Sequence, residues 1–218
     1  MNVRCHRQLA SLAVAVGLAA SLAAAQPSRT ESPRYPIFDG RSYVGWQGDH
    51  AIFKIRDGAI VGGSLQRKVA RNEFLCTARS FGDFELRLQV KLLGGDEANA
   101  GVQFRTKRIP SHHEVIGYQA DMGTGWWGAL YDESRRNKVL QGPDQEKMAT
   151  VVRRDDWNDY VIRAEGPRIQ LWLNGVQTVD YTETDPSVER TGVICLQIHG
   201  GPPAEAWYRN ITIQELGR

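Results

Sequence analysis

The segment Gly117–Arg136 concentrates residue types that can do chemistry in this chain of 218 residues. It combines acids, arginines and large aromatic residues with several glycines. Glycine lets the backbone approach a ligand closely. Aromatic faces and charged hydrogen-bonding groups suit the faces and rims of sugar rings. The segment therefore predicts a carbohydrate site.

Two neighbouring strands are expected to place four polar side chains on one face. In Val115–Asp121, the side chains of Gln119 and Asp121 fall on one face of the strand, and less polar residues take the other. Gln103 and Arg105 alternate in the same way on the preceding strand. If the two strands pair, the four side chains form one polar patch that lines a groove. The alternative is an ordinary solvated sheet face.

The aromatic and charged residues that follow extend the predicted groove. Trp126 and Trp127 are adjacent, so they point to opposite faces and only one ring readily enters a groove. We assign Trp127 to the sugar, with two core tryptophans as the alternative. Tyr131, Glu133 and Arg135 belong to a polar run that follows the groove strands directly, and arginine could bind polar ligand edges in a fork geometry. The alternative for these charged residues is ion pairing at the surface.

His199 is the remaining candidate for proton transfer. It follows the apolar strand Val193–Ile198 and precedes a Gly-Gly-Pro-Pro turn, and a histidine there can act as an acid or base near neutral pH. A structural histidine is the alternative. The neighbours in His112-His113-Glu114 diverge, and no second ligand set follows them. We predict no cofactor and no metal from ligand spacing, and leave a divalent metal open. No serine-hydrolase, dinucleotide or phosphate-loop motif occurs.

The first 25 residues have the pattern of a signal peptide. A basic start is followed by the apolar run Leu9–Ala20 and by three alanines that end at Ala25, where we expect cleavage. The alternative is a retained membrane anchor, and no other segment could span a membrane. We therefore expect a secreted or periplasmic protein.

The charge balance argues against a nucleic-acid partner. The chain has 27 Lys and Arg against 25 Asp and Glu. Two arginines leave with the signal peptide, which gives 25 − 25, a net charge of about zero. A nucleic-acid-binding protein needs a basic field. Residues 26–36 are rich in Pro, Ser and Arg and are expected to be a disordered lead-in. Residues 37–218 form one predicted domain.

Almost all periodic signals in this domain have period two. Apolar and polar residues alternate from Phe84 to Leu92, which indicates a long strand with one buried face. Asn174-Gly175 between two such runs is typical of a tight hairpin. The pattern predicts an all-β protein with two packed antiparallel sheets. Cys76 and Cys195 lie in strand-like contexts and form either one bridge or two buried free thiols.

An ordered series of short motifs resembles the 3-keto-disaccharide hydrolase domain family and runs from Pro36 to Leu216. The motifs are Phe38-Asp39-Gly40, Trp46, Asp57-Gly58-Ala59-Ile60, Gly82-Asp83-Phe84-Glu85-Leu86, Asn99-Ala100-Gly101-Val102-Gln103-Phe104-Arg105, Gly117-Tyr118-Gln119-Ala120-Asp121, Gly128-Ala129-Leu130-Tyr131, Trp157-Asn158, Trp172-Leu173-Asn174-Gly175, Gly192-Val193-Ile194, Gln197-Ile198-His199-Gly200 and Arg209-Asn210-Ile211. The resemblance implies a concanavalin-like jelly-roll sandwich. It departs at Ala100, where the family pattern leads us to expect serine.

The resemblance also implies a reaction, the cleavage of glycosides already oxidised to a ketone at sugar C3. The ketone acidifies the C2 proton, so a base can form an enolate and the glycosidic oxygen can leave C1 by β-elimination; water then adds back. This differs from the usual paired-carboxylate mechanism. Asp121 or His199 would be the base or acid, Arg105 would stabilise the enolate, and Glu133 is a second acid candidate. Gln103, Gln119, Trp127, Tyr131 and Arg135 would bind the substrate.

Two other functions fit the same sequence features. A non-catalytic carbohydrate-binding module would bind unmodified polysaccharide and would not turn over a 3-keto glycoside. A structural or interaction domain of the cell envelope would have no sugar affinity and an exposed apolar patch. The acids, Arg and His near one predicted groove favour the enzyme, although a fold alone does not decide function.

Overall fold

Strand alternation is visible throughout the two sheets of the computed structural model, which describes Met1 and residues 32–217. In β6, Phe84–Gly94, the apolar residues at alternate positions are buried and the polar residues between them are exposed or half-buried. The predicted signal peptide lies outside the described residues. Within them, no helix is long and apolar enough to cross a membrane.

The described residues form two antiparallel sheets, which confirms the predicted all-β jelly-roll sandwich. Sheet A contains β1 Tyr35–Pro36, β3 Phe53–Arg56, β4 Ala59–Ser64, β6, β11 Asn158–Glu165, β12 Arg168–Leu173, β13 Val176–Thr182 and β15 Ala204–Glu215. Sheet B contains β2 Trp46–Gln47, β5 Glu73–Thr77, β7 Asn99–Arg108, β8 Val115–Gly123, β9 Leu130–Glu133, β10 Lys138–Gln141 and β14 Val193–Ile198.

The strand order carries the chain repeatedly from one sheet to the other. Sheet A has the order β13-β12-β11-β6-β15-β4-β3, with β1 also paired to β15. Sheet B has the order β10-β9-β8-β7-β14-β5-β2. The predicted hairpin at Asn174-Gly175 joins β12 to β13, and both turn residues have positive φ angles of 48° and 81°. The strands β7 and β8 are direct neighbours, as the predicted polar patch requires.

One short helix, α1 Gln145–Val151, lies between β10 and β11 in sequence. The side chain of Asp144 caps it by accepting from the backbone N–H groups of Glu146 and Lys147. Met148 is buried and belongs to the main hydrophobic core. The helix is two turns long.

The apolar faces of both sheets meet in one core. Its largest fully buried side chains include Phe84 and Tyr160 from sheet A and Phe104 and Tyr118 from sheet B. A smaller cluster lies on the other face of sheet B, where Cys76 and Cys195 form a disulfide. They are direct register partners on β5 and β14, so the bridged alternative of the two considered is the one found.

The predicted lead-in, residues 26–36, becomes ordered before its expected end. Tyr35 and Pro36 pair with Ile213 and Thr212 of β15. A guanidinium nitrogen of Arg34 donates to Glu85 at 2.6 Å. The N-terminal part of the domain is therefore tied to sheet A from residue 34 onward, because the strand β15 offers it backbone partners.

Candidate active site

A cleft of about 480 Å³ lies on the face of sheet B that is turned away from the core. Its walls come from β8 and β9, from the start of β7, and from the segment that follows β14. The lining residues are Asn72, Glu97, Asn99, Gln119, Asp121, Trp126, Tyr131, Glu133, His199, Gly200, Gly201 and Pro202. Of the nine predicted site residues, Gln119, Asp121, Tyr131, Glu133 and His199 line it.

Asp121 is the most deeply buried acid of the cleft, with 2% of its surface exposed. Its Oδ1 accepts a short hydrogen bond from Gln119 Nε2, and its Oδ2 has no hydrogen-bond partner among the described residues. Burial raises the pKa of Asp121 to about 8, and the negative charge of Glu133 adds to the rise. The Gln119 bond opposes both effects by favouring the ionised form.

Glu133 is another carboxyl of the cleft and lies on β9, next to β8 in the sheet. Burial raises the pKa of Glu133 to about 7, with a further rise from the charge of Glu114. The two carboxyls of Asp121 and Glu133 therefore titrate near neutral pH. Groups that gain and lose protons in this range suit acid–base catalysis.

A chain of side-chain amides leads to Asp121 from within the sheet. Gln103 Nε2 donates to Gln119 Oε1 at 2.7 Å, and Gln119 Nε2 donates to Asp121. The three residues are 0%, 3% and 2% exposed. Gln103 thus belongs to the predicted polar patch but does not line the cleft. It is connected to the cleft through its hydrogen bond to Gln119.

His199 lies directly after β14 on the far side of β7 from Asp121. Its backbone N–H donates to Asn99 O at 3.1 Å, and its Nδ1 lies 2.7 Å from Gly200 O. A carbonyl oxygen only accepts, so Nδ1 carries the proton in this contact and Nε2 holds the lone pair of the neutral ring. The next turn is fixed by Gly200 N–H, which donates to Asn72 Oδ1 at 2.9 Å.

An aromatic wall is formed by Trp126 and Tyr131, whose ring centroids lie 6.2 Å apart with planes at 80°. Trp126 is 41% exposed and lines the cleft. Trp127 instead packs against the main core and lines a separate cavity of about 230 Å³ beside α1. The two rings do point to opposite sides, but the assignment of Trp127 to the groove was wrong, because residue 126 takes the outward position.

Arg105 does not lie in the cleft, contrary to the predicted polar patch. A bulge with a positive φ of 48° at Arg105 interrupts the register between β7 and β8 and resets the alternation. The guanidinium instead bonds Gly82 O at 3.2 Å, Gly166 O at 2.7 Å and Asp83 Oδ1 at 2.8 Å. These partners belong to turns of sheet A, so Arg105 joins the two sheets and is not placed to stabilise an enolate.

Arg135 also lies outside the cleft. Its guanidinium stands 4.6 Å from the ring centre of Tyr118 and forms an ion pair with the buried Asp132 at 2.6 Å. Its fork geometry is therefore used within the protein, in the ion-pairing role that was the alternative for this residue.

The sequence analysis missed three polar residues that line the cleft, Asn72, Glu97 and Asn99. Only Asn99 carries a signal, since it precedes the strand that holds Gly101 and Gln103. Ala100 beside it is fully buried in the main core, so a hydroxyl at this position would not reach the cleft. Among residues 32–217, no group of three or more His, Cys, Asp or Glu side chains could hold a metal ion.

The sandwich is similar to several solved structures with sugar-related descriptions, and the three described next are each below 20% identical to this chain. A proposed glycosyl hydrolase from Parabacteroides distasonis has 17% identity and a TM-score of 0.63, over 84% of this chain and 94% of that one. A family 66 carbohydrate-binding module from Bacillus subtilis has 17% identity and a TM-score of 0.62, over 78% and 96%. A Bacillus licheniformis β-glucanase has 9% identity and a TM-score of 0.54, over 87% and 99%.

Curated protein sequences contain no match to the chain. The sequence model of the 3-keto-alpha-glucoside-1,2-lyase-like domain matches residues 34–214, which is most of the chain and includes every residue that lines the cleft. The chain therefore belongs to the family of 3-keto-alpha-glucoside-1,2-lyase-like domains.

Proposed function

We propose that this protein cleaves 3-keto glycosides by removing the C2 proton and eliminating the glycosidic oxygen from C1. The observation that carries the proposal is the buried carboxyl of Asp121, whose pKa is raised to about 8 at the base of a polar cleft. Such a carboxyl stays protonated at neutral pH and can give its proton to a leaving oxygen. Membership of the family and the aromatic wall of the cleft support a sugar as the substrate.

His199 is the proposed base for the C2 proton. The contact between its Nδ1 and Gly200 O leaves Nε2 unprotonated in the neutral ring. Asp121 and His199 lie on β8 and after β14, with β7 between them, so a sugar ring in the cleft would have an acid on one side and a base on the other.

Glu133 is proposed to keep Asp121 protonated. Its negative charge raises the pKa of Asp121, so ionisation of Glu133 first makes loss of the Asp121 proton less favourable. The pair then holds one proton near neutral pH, as coupled carboxyls do. Glu133 is the second acid candidate when both carboxyls are protonated.

The proposed step conserves atoms and electrons. The C2–H bond breaks, its proton moves to His199 Nε2, and the electron pair forms an enolate with the C3 oxygen. The enolate then forms the C1–C2 double bond while the C1–O bond breaks, and the leaving oxygen takes the Asp121 proton. Water added across the double bond gives the 3-keto sugar, so the net reaction is hydrolysis.

The enolate oxygen needs a hydrogen-bond donor, which Arg105 does not supply. Asn99 lines the cleft and accepts the backbone N–H of His199 at its carbonyl oxygen, and its side-chain amide is the proposed donor. Tyr131 and Trp126 are proposed to hold the faces and rim of the ring, since aromatic rings suit the C–H faces of sugars. No metal or cofactor has a part in this proposal.

We also propose that the protein acts outside the cytoplasm, as a secreted or periplasmic enzyme with a carbohydrate and not a nucleic acid as its partner. The disulfide between Cys76 and Cys195 supports an oxidising compartment, where such bonds persist. The basic, apolar and alanine-rich segments at the start of the sequence support export.

A non-catalytic carbohydrate-binding domain is the second candidate. It is favoured by the exposed ring of Trp126 and by the similarity of the sandwich to a carbohydrate-binding module. It accounts less well for two cleft carboxyls whose pKa values are raised to about 8 and about 7, because a binding surface needs neither to titrate near neutral pH.

The deciding experiment uses residues 26–218 and a 3-keto glucoside with a chromogenic leaving group. Its unoxidised parent and an EDTA arm serve as controls. We expect release from the keto compound alone, unchanged by EDTA. Release from neither compound by folded protein, with saturable binding of a glycan, would show the binding module instead. Loss of release in EDTA would show that a metal takes part.

A further inference from the structure

The amide chain behind Asp121 has a fixed direction. Gln103 Nε2 donates to Gln119 Oε1, so the Gln119 amide presents its Nε2 to Asp121 Oδ1. The hydroxyl of Thr106 lies 3.4 Å from Gln103 Oε1, at the far end of the chain from Asp121. Each amide therefore points its N–H groups toward the carboxyl.

The sheet register explains why these side chains meet. Gln103 is the direct partner of Gln119 across β7 and β8, and Gly101 is the direct partner of Asp121. A Cβ on Gly101 would come 2.5 Å from Gln119 Cδ, so the missing side chain gives the Gln119 amide its place. The contact is enclosed, because Gln103, Gln119 and Asp121 are each at least 97% buried.

The carbonyl oxygen of a protonated carboxyl accepts hydrogen bonds better than its hydroxyl oxygen, so the oxygen that accepts the Gln119 N–H is the less favourable place for the proton. The bond from Gln119 thus leaves Oδ2 to carry the proton of Asp121. This oxygen is buried and has no partner among the described side chains and backbone groups. It is the oxygen of Asp121 that no hydrogen bond within the described residues occupies.

We propose that Gln103 and Gln119 are positioning residues that hold the Asp121 proton on Oδ2, and that Gln103 acts only through Gln119. The role in catalysis rests on the proposed function. If Gln103 were absent, the Gln119 amide could rotate and turn its Oε1 toward Asp121 Oδ1. The proton would then be drawn to Oδ1, where it would bond Gln119 and be lost to the reaction.

Several other groups face Asp121, and the charge of Glu133 among them raises its pKa. They are Glu133 and Tyr131 from β9, Glu97 and His199 from the cleft walls, and Tyr160, whose hydroxyl donates to Asp121 O at 3.0 Å from sheet A. Among residues 32–217, no hydrogen bond joins any of them to the side chain of Gln103. We therefore expect a change at Gln103 to reach Asp121 through Gln119, because the side-chain hydrogen bonds that connect the two in the described part of the chain run through it.

The test follows the Asp121 carboxyl by carbon-13 NMR as the pH is changed, with Asp121→Asn used to assign the signal. Loss of the donor in Gln119→Leu should raise the midpoint by about one pH unit. Gln103→Leu should raise it by a smaller amount. Gln103→Glu is nearly isosteric but brings an acceptor, which turns the Gln119 amide around, and should raise the midpoint further than Gln103→Leu.

Gln197→Leu is the matched control. Gln197 is another buried amide on the same face of sheet B, in register with Gly101 from the opposite side, and neither of its amide atoms has a partner among the described residues. Its loss should leave the Asp121 midpoint unchanged. Midpoints in Gln103→Leu and Gln103→Glu equal to that of the wild type would overturn the proposal.

The same variants have a second readout in the pH dependence of kcat/KM for the 3-keto substrate, where the alkaline limb should move in parallel with the NMR midpoint. The carboxyl titration needs no turnover, so it decides the positioning role even if the wild type does not cleave the substrate. Conversely, an active wild type with unshifted Asp121 midpoints in both Gln103 variants would support the proposed function. It would refute the positioning role of the two glutamines.

Discussion

Gly101 lies directly beneath the Gln119 amide, so close that a Cβ at residue 101 would meet Gln119 Cγ and Cδ at 2.5 Å. The two residues are on neighbouring strands, and Gln119 is the residue that holds Asp121 Oδ1. A single methyl group at residue 101 would therefore act on the acid of the cleft without touching it.

The variant Gly101→Ala should displace the Gln119 amide and break its bond to Asp121. We expect at least a tenfold loss of kcat, on the scale of acid–base contributions of about 10²–10⁴. We expect a loss of stability of about 1–3 kcal/mol, because the extra methyl overfills a closed space. Steady-state kinetics and thermal unfolding measure both. Gly95→Ala is the control, since a Cβ there meets nothing within 4 Å; equal losses in both variants would contradict the argument.

The pH dependence of cleavage should show the titration of Asp121. A carboxyl that acts as an acid is active when protonated, so activity is present below its pKa and is lost as the pH rises through it. With a pKa raised to about 8, kcat/KM should fall above about pH 8. Asp121→Asn should remove this limb together with most of the turnover. A profile that rises through pH 8 would instead make Asp121 the base.

The adjacent tryptophans should give opposite results. Trp126→Ala removes a half-exposed ring from the cleft and should raise KM several-fold, with little change in thermal stability. Trp127→Ala opens space in the packing against the core and should cost about 3–5 kcal/mol of stability. Binding assays and unfolding curves of the two variants separate these effects. A destabilised Trp126→Ala with normal KM would show that its ring serves packing.

Arg105 should be a structural residue. Arg105→Met removes the guanidinium that joins Gly82, Asp83 and Gly166, and it leaves Asp83 without this partner. We expect a loss of about 3–5 kcal/mol, as for other buried charge pairs that lose one member. Turnover per folded molecule should stay close to the wild-type value at low temperature. A stable Arg105→Met variant without activity would support a catalytic role for Arg105.

Two buried glutamines offer a matched comparison of stability. Gln103→Leu removes a hydrogen-bonded amide and leaves Gln119 Oε1 without its donor, so we expect it to destabilise the protein by about 1–3 kcal/mol. Gln197→Leu removes an amide that has no partner among the described residues, so it should be neutral or stabilising. Denaturant unfolding of both variants tests this. A large loss of stability in Gln197→Leu alone would show an unrecognised role for its amide.

The sheets were predictable because alternation is a local property of the sequence. The run from Phe84 to Leu92 and the turn at Asn174-Gly175 each determine their own structure, and both were confirmed. The short strands β1, β2, β9 and β10 were not predicted. They have four residues or fewer and depend on a partner strand for their pairing.

The cleft was predictable only in part. Alternation along a strand shows which side chains share a face, but it does not show which face is turned toward the cleft. Gln119 and Asp121 were expected to share a face, and they do. The prediction for Arg105 was wrong because a bulge at that residue shifts the alternation of side chains along β7. The prediction for Trp127 was wrong because alternation shows that Trp126 and Trp127 point in opposite directions but not which of them points outward. Glu97 and Asn72 come from loops, whose approach to the cleft depends on the whole fold.

The disulfide of Cys76 and Cys195 joins residues that already face each other across β5 and β14. The disulfide therefore affects the register of β14 against β5. Ladder hydrogen bonds alone would also be satisfied if β14 slid by two residues along β5, and the side chains would still face the same way. That slide would carry His199 away from Asn99 and out of the cleft. The covalent bond fixes the register of β14 along β5, and His199, the proposed base, lies four residues beyond the bridged Cys195.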